Sequence, residues 1–212
     1  MKTATLILEL LGVASAAISG AMVAIEKKAD AFGVLLLAII SALGGGVLRD
    51  IMLGYLPPRM FTSFSYITVT LFFALVVFID AIVRHEKYHA HKEKLDAVNN
   101  LFDALGLASF TVVGMNLTIA QCGMENPLLP IVLGVVTGIG GGMLRDTLLS
   151  TMPRVLYKRV YAVASLAGAL LYYVLLLLGM QDTVSAVLGM ALIVLLRLLA
   201  TRYRWNLPHA EP

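Results

Sequence analysis

The sequence predicts an all-α polytopic membrane protein, with seven transmembrane helices arranged as an inverted 3+3 repeat plus one extra helix. Composition is the first reason. Apolar residues make up 59% of the 212 and charged residues only 14%, against about 45–50% and about 25% in ordinary soluble domains. The mean hydropathy of +0.89 agrees. The second reason is segmentation. At about 20 residues per span, the chain holds seven apolar stretches separated by loop chemistry, which excludes a soluble enzyme domain, a disordered tail and a single-anchor protein. The third is a seven-residue block that returns 96 positions later.

The stretches run 4–25, 31–55, 62–83, 99–121, 128–152, 160–178 and 183–200. The first begins like a cleavable signal, with Lys2, an apolar run and Ala14-Ser15-Ala16. Its apolar run continues nine residues further to Ile25, so it is read as a retained span. Glu26-Lys27-Lys28 closes it, Pro57-Pro58-Arg59 closes the second, and the charged stretch 84–96 closes the third. Asn126-Pro127, Pro153-Arg154 and Gln181-Asp182 divide the remainder. Trp205, followed by Pro208, suits an interfacial end for the seventh helix.

Lysines and arginines set the orientation. Eleven fall on one side (Lys27, Lys28, Arg84, Lys87, Lys92, Lys94, Arg154, Lys158, Arg159, Arg202, Arg204) and two on the other (Lys2, Arg59). The basic side is expected to be cytoplasmic. That puts the N-terminus outside and the C-terminus inside, in the cell (inner) membrane, which an odd number of spans requires.

The repeated block is Gly44-Gly45-Gly46-Val47-Leu48-Arg49-Asp50, matched by Gly140-Gly141-Gly142-Met143-Leu144-Arg145-Asp146. Pro57 aligns with Pro153 at the same offset. Glu9, Gly12, Ala14, Ser15 and Gly20 align with Asp103, Gly106, Ala108, Ser109 and Gly114 at an offset of 94. Each copy holds three spans, an odd number, so the second copy enters the membrane from the opposite side. The organisation is therefore a first repeat over 1–83, a basic cytoplasmic loop over 84–98, an inverted second repeat over 99–178, and a seventh helix with a cytoplasmic tail over 179–212. Inverted repeats place a substrate or ion path near the midplane, where interrupted helices meet.

Three consecutive glycines cost a helix about 1 kcal/mol each relative to alanine, so a break or kink is expected at mid-span in helices 2 and 5. A break would free carbonyls around residues 40–43 and 136–139, and these are tolerable in lipid only beside protein or a wet cavity. Free carbonyls can replace part of a cation's hydration shell. The other reading is close packing, since Gly134, Gly138 and Gly142 follow small-xxx-small spacing, as do Ala16, Gly20 and Ala24. Both roles stay open. Arg49 and Arg145 lie three residues, about 4.5 Å, beyond the last glycine and must face the bundle interior or a wet cavity. Adjacent helical residues point about 100° apart, so Asp50 and Asp146 are not expected to pair with the neighbouring arginines. Glu9 and Asp103 are the expected charge partners. These four Arg-Asp residues either staple helices together or line and gate a permeation path.

Other features weigh less. His85, His89 and His91 sit among basic residues in the third loop, which reads as a solvated segment beside anionic headgroups. Asp80 is given no transport role, and Tyr172 and Tyr173 are read as core or lipid-facing. Cys122 is the single cysteine, which excludes an intrachain disulfide, and no metal site is predicted. No nucleophile–base pair, nucleotide loop or Walker motif appears, so the chain does not read as an enzyme.

The two GGGxxRD blocks within a seven-span inverted repeat resemble the trimeric intracellular cation (TRIC) channel family, prokaryotic branch, over nearly the whole chain. That resemblance implies a homotrimer with a separate pore in each protomer, conducting potassium as the main monovalent cation. Kinked helices 2 and 5 would line the pore, with Gly44, Gly45, Gly46, Arg49, Asp50, Gly140, Gly141, Gly142, Arg145 and Asp146 on the pathway. It implies no cofactor beyond permeant K⁺ or Na⁺, and partners limited to other protomers and membrane lipids, with no nucleic acid. The lysine motif tied to lipid binding in animal members has no match here. Closely similar bacterial sequences are also described as transporters of glycine or small solutes, and an inverted repeat suits alternating access as well.

Overall fold

A computed structural model describes residues 3–83, 92–157 and 160–205. The described residues form α1 (Thr3–Glu26), α2 (Ala31–Met52), α3 (Arg59–Thr62), α4 (Phe64–Val83), α5 (Lys92–Cys122), α6 (Leu128–Leu148), α7 (Arg154–Tyr157), α8 (Tyr161–Leu177) and α9 (Asp182–Arg202). Six are long and apolar enough to cross a membrane, and α8 is a shorter apolar helix. The seven predicted spans are all present. The fourth starts earlier than residue 99, because α5 carries its polar first turns from Lys92 as one 31-residue helix. The histidine loop at 84–91 lies outside the described residues.

Helices α1, α2, α5 and α6 form the centre, and the chain around them follows a twofold plan. Helix α4 packs on α1 and α2, and α8 packs on α5 and α6. Helix α9 has no mate in the first repeat and lies against α8 and α5. Most of the apolar window of α5 is buried, 78%, against 22% for α4; α4 therefore turns Phe72, Val76, Ile79 and Val83 outward, as a lipid-facing helix does.

Small residues set the spacing. A Cβ on Gly20 would press on Ser41 and the Ala38 backbone, and one on Gly114 would press on Thr137 and the Gly134 backbone. These are matching positions of the two repeats. Lipid gives no hydrophobic drive between helices, so close backbone approach of this kind is what holds them together. Ser41 and Thr137 satisfy their hydroxyls on the Leu37 and Leu133 carbonyls one turn back.

The ends of α2 and α6 are built alike. Leu53 N–H donates to the Arg49 carbonyl and Tyr55 N–H to the Asp50 carbonyl, around Gly54 at φ +76°. In the second repeat Leu149 N–H donates to Arg145 and Thr151 N–H to Asp146, around Ser150 at φ +52°. Glycine is the natural residue for this left-handed cap. Serine bears a left-handed cost of about 1–2 kcal/mol. Ser150→Gly is accordingly expected to raise stability by about 1 kcal/mol, read as a higher melting midpoint of the detergent-purified protein.

The candidate ion pathway and its two charged clusters

The expected helix break is absent. Helix α2 runs continuously through Gly44, Gly45 and Gly46, and α6 through Gly140, Gly141 and Gly142. Carbonyls around 40–43 and 136–139 therefore lie inside continuous helix rather than freed by a break. The physical reason is the solvent: an unmade backbone hydrogen bond in lipid costs several kcal/mol, more than the propensity lost at three glycines. The glycines serve instead to bring α2 and α6 together. A Cβ on Gly45 would overlap the Thr137 carbonyl, and one on Gly141 would overlap the Ser41 carbonyl. Gly44 and Gly140 lie at the same crossing, whereas a Cβ on Gly142 would meet nothing closer than Arg145 Nη2 at 3.7 Å.

On either side of that crossing lies a cluster of buried charge. In the first, Arg49 Nη1 and Nη2 each donate to Glu9 Oε1 at 3.3 Å, as expected from the sequence. Tyr66 O–H donates to Glu9 Oε2 at 2.8 Å. Arg49 Nε also donates to Asp50 Oδ1 at 2.9 Å, contrary to the expectation that adjacent residues would not pair. Cβ directions alone do not decide the pairing. A three-methylene stem carries the guanidinium back around the helix, so that Nε meets Asp50 while both Nη atoms reach Glu9. Asp50 finally accepts the Arg59 backbone N–H at 2.8 Å and Arg59 Nη2 at 3.2 Å. It thereby fixes the start of α3.

The second cluster repeats part of this. Arg145 Nε donates to Asp146 Oδ1 at 2.8 Å, again an adjacent pair, and Asp146 Oδ2 accepts the Arg154 backbone N–H at 2.9 Å. The equivalent donors are thus Arg59 and Arg154, which makes Pro58 rather than Pro57 the counterpart of Pro153. Asp103 departs from expectation. Its described bonds are to Arg197 Nη2 of α9 at 3.1 Å and to Tyr161, the counterpart of Tyr66, not to Arg145. Arg197 also donates to Asn100 at 3.0 Å and lies 4.2 Å from the Tyr161 ring centroid.

Five residues at the clusters were missed by sequence reasoning: Arg59, Tyr66, Arg154, Tyr161 and Arg197. Four were legible as repeat pairs at an offset of 95. Arg197 lies inside the seventh apolar stretch, outside both repeats. Tyr172 and Tyr173, for their part, are core residues; Tyr172 O–H donates to Asp182 at 2.6 Å, and Asn116 donates to the same carboxylate at 3.1 Å.

An open cavity borders one of the two clusters. The second opens on a cavity of about 720 Å³ that reaches Asp103, Asp146, Tyr161 and Arg197. Its rim carries Glu26, Lys27, Glu93, Asp96, Arg202 and Arg204. A further space of about 20 Å³ lies deeper, bounded by Ser19, Ser41, Gly138, Gly142, Asp103, Arg145 and Tyr161. Asp103 and Tyr161 line both and so stand between them, with Arg145 on the deeper space. No group of three His, Cys, Asp or Glu suited to a metal ion occurs among the described residues.

The family model described as glycine transporter matches residues 6–81 and 100–176, the two three-helix repeats. The chain belongs to that family. The chain is also similar to a UPF0126 membrane protein of Vibrio cholerae, 33% identical over 202 residues, covering 95% of this chain and 81% of the relative. The fold is that of prokaryotic TRIC channels. One such channel, crystallised in 0.5 M KCl, superimposes with a TM-score of 0.86 at 28% identity, covering 98% of this chain and all of the other. The trimeric intracellular cation channel orthologue of Rhodobacter sphaeroides gives 0.84 at 28% identity, over 96% and 100%. In this glycine-transporter family member, the charged clusters and the glycine crossing occupy the two matched segments, except for Arg197, which lies beyond both.

Proposed function

We propose that the protein is a potassium-conducting cation channel of the inner membrane, each protomer of a homotrimer carrying its own pore through the α1, α2, α5 and α6 core. The observation that carries this is that the wide cavity and a smaller, deeper space beside Ser19 and Ser41 share Asp103 and Tyr161 as a common wall. Similarity to solved TRIC cation channels supports it. Continuous helices change the expected chemistry. Carboxylates and hydroxyls, rather than freed carbonyls, supply the oxygens for a passing cation, chiefly Asp103, Ser19 and Ser41 on one side and Glu9 on the other. The arginines hold those carboxylates in place and lower the energy of burying them. The basic distribution puts the wide cavity on the cytoplasmic face, with the N-terminus outside and the C-terminus inside.

Purified protein in planar bilayers under a KCl gradient should show discrete unitary currents reversing near the K⁺ equilibrium potential. A second reading has its own observation. The cavity wall carries carboxylates and arginines together, which suits a zwitterion such as glycine, and the family description points the same way. Electrical silence with saturable glycine uptake into proteoliposomes would establish that reading and overturn the channel.

A further inference from the structure

The two repeats put the same residues at opposite ends of the molecule in different states. The first cluster holds two carboxylates, Glu9 and Asp50, against two arginines, Arg49 and Arg59. It is closed: Arg49 is wholly buried and clamps α2 to Glu9 of α1. The second pairs two carboxylates, Asp103 and Asp146, with two arginines, Arg197 and Arg145, while Arg154 lines the cavity beside it with Glu26, Glu93 and Asp96. The cation on Asp103 comes from α9, the helix that has no repeat mate. It lies on the carboxylate that, by symmetry, Arg145 would clamp. The wide cavity opens on this second cluster.

We propose that Arg197 is a positioning residue that holds the wide end open. By occupying Asp103, it prevents Arg145 from bridging α6 to α5 as Arg49 bridges α2 to α1. Withdrawal of Arg197, by a shift of α9, lets Arg145 take Asp103 and closes that end in the form the first cluster already shows. The seventh helix is then the control arm of an otherwise symmetric pair of gates. This rests on reading the clusters as two gates of one pathway.

The test is the width of the cavity mouth, measured by pulsed electron–electron resonance between spin labels at Ala97→Cys and Thr151→Cys in a Cys122→Ser background. Ala97 and Thr151 lie on the cavity wall. Labelled chains are diluted with unlabelled ones. Arg197→Gln should shift the distances shorter, and Arg145→Gln added to Arg197→Gln should return them to the starting distribution, because no arginine is left to close. Unchanged distances in Arg197→Gln, or shortening that persists in the double variant, would overturn the proposal. If Arg197→Gln does not assemble, Arg197→Lys takes its place: a point charge without the fork holds Asp103 less firmly, so a closed population should appear, and its absence would overturn the proposal equally. Absent currents in the parent protein would sink the channel reading while leaving the distances to decide this one.

Discussion

Gly45→Ala should leave almost no correctly folded protein, because the added methyl would overlap the Thr137 carbonyl oxygen at the centre of the molecule. A backbone atom inside a hydrogen-bonded helix cannot step aside as a side chain can. Overpacking a core commonly costs about 1–3 kcal/mol, and a contact with fixed backbone belongs at or beyond the top of that range. Gly141→Ala meets the Ser41 carbonyl in the same way and should behave alike. The series is graded within each triplet. Gly46→Ala meets only the flexible Met60 side chain, so a smaller loss is expected. Gly142→Ala meets ordinary contacts and removes a helix penalty of about 1 kcal/mol, so its stability should hold or rise. Fluorescence-detected size exclusion after a heat ramp checks the order. Equal tolerance at Gly45 and Gly142 would contradict the packing role of the crossing.

The second large effect is at Arg49. Arg49→Ala leaves Glu9 buried without its cation, and breaking one partner of a buried pair costs about 3–5 kcal/mol. A marked fall in the melting midpoint, or no folded protein, is expected. Replacing both partners, Glu9→Gln with Arg49→Met, should recover most of that loss, since exchange of a buried pair for neutral groups of similar volume is often near neutral. Asp50 keeps Arg59 in this double variant. Arg145→Ala should cost less than Arg49→Ala, because Asp103 keeps Arg197 and Asp146 borders the wide cavity. Equal losses at the two arginines would contradict the asymmetry of the clusters.

Much of this was legible in the sequence. Seven spans followed from hydropathy because a bilayer fixes span length. The Glu9–Arg49 pair followed from two charges that lipid would not tolerate alone, placed on neighbouring spans. Three things were not legible, each for a physical reason. Helix propensity in water argued for a break at the glycines, and the bilayer reversed the balance. Two consecutive prolines allowed two alignments a residue apart, and only the Asp50 and Asp146 bonds to Arg59 and Arg154 separate them. Arg197 belongs to a helix outside the duplication, so no mirrored position pointed to Asp103 as its partner.

The crossing of α2 and α6 has a consequence for origin. Gly45 meets the carbonyl of Thr137, and Gly141 meets that of Ser41; residue i touches j while the counterpart of i touches the counterpart of j. That reciprocity is the mark of an isologous interface, the kind by which two identical subunits join about a dyad. The central joint of this single chain therefore has the form of a contact between separate antiparallel copies. A three-helix ancestor that inserted in both directions would have met itself along this surface before any gene fusion. Fusion freed the two ends to diverge, and the added seventh helix gave only one of them an arginine from outside the repeats.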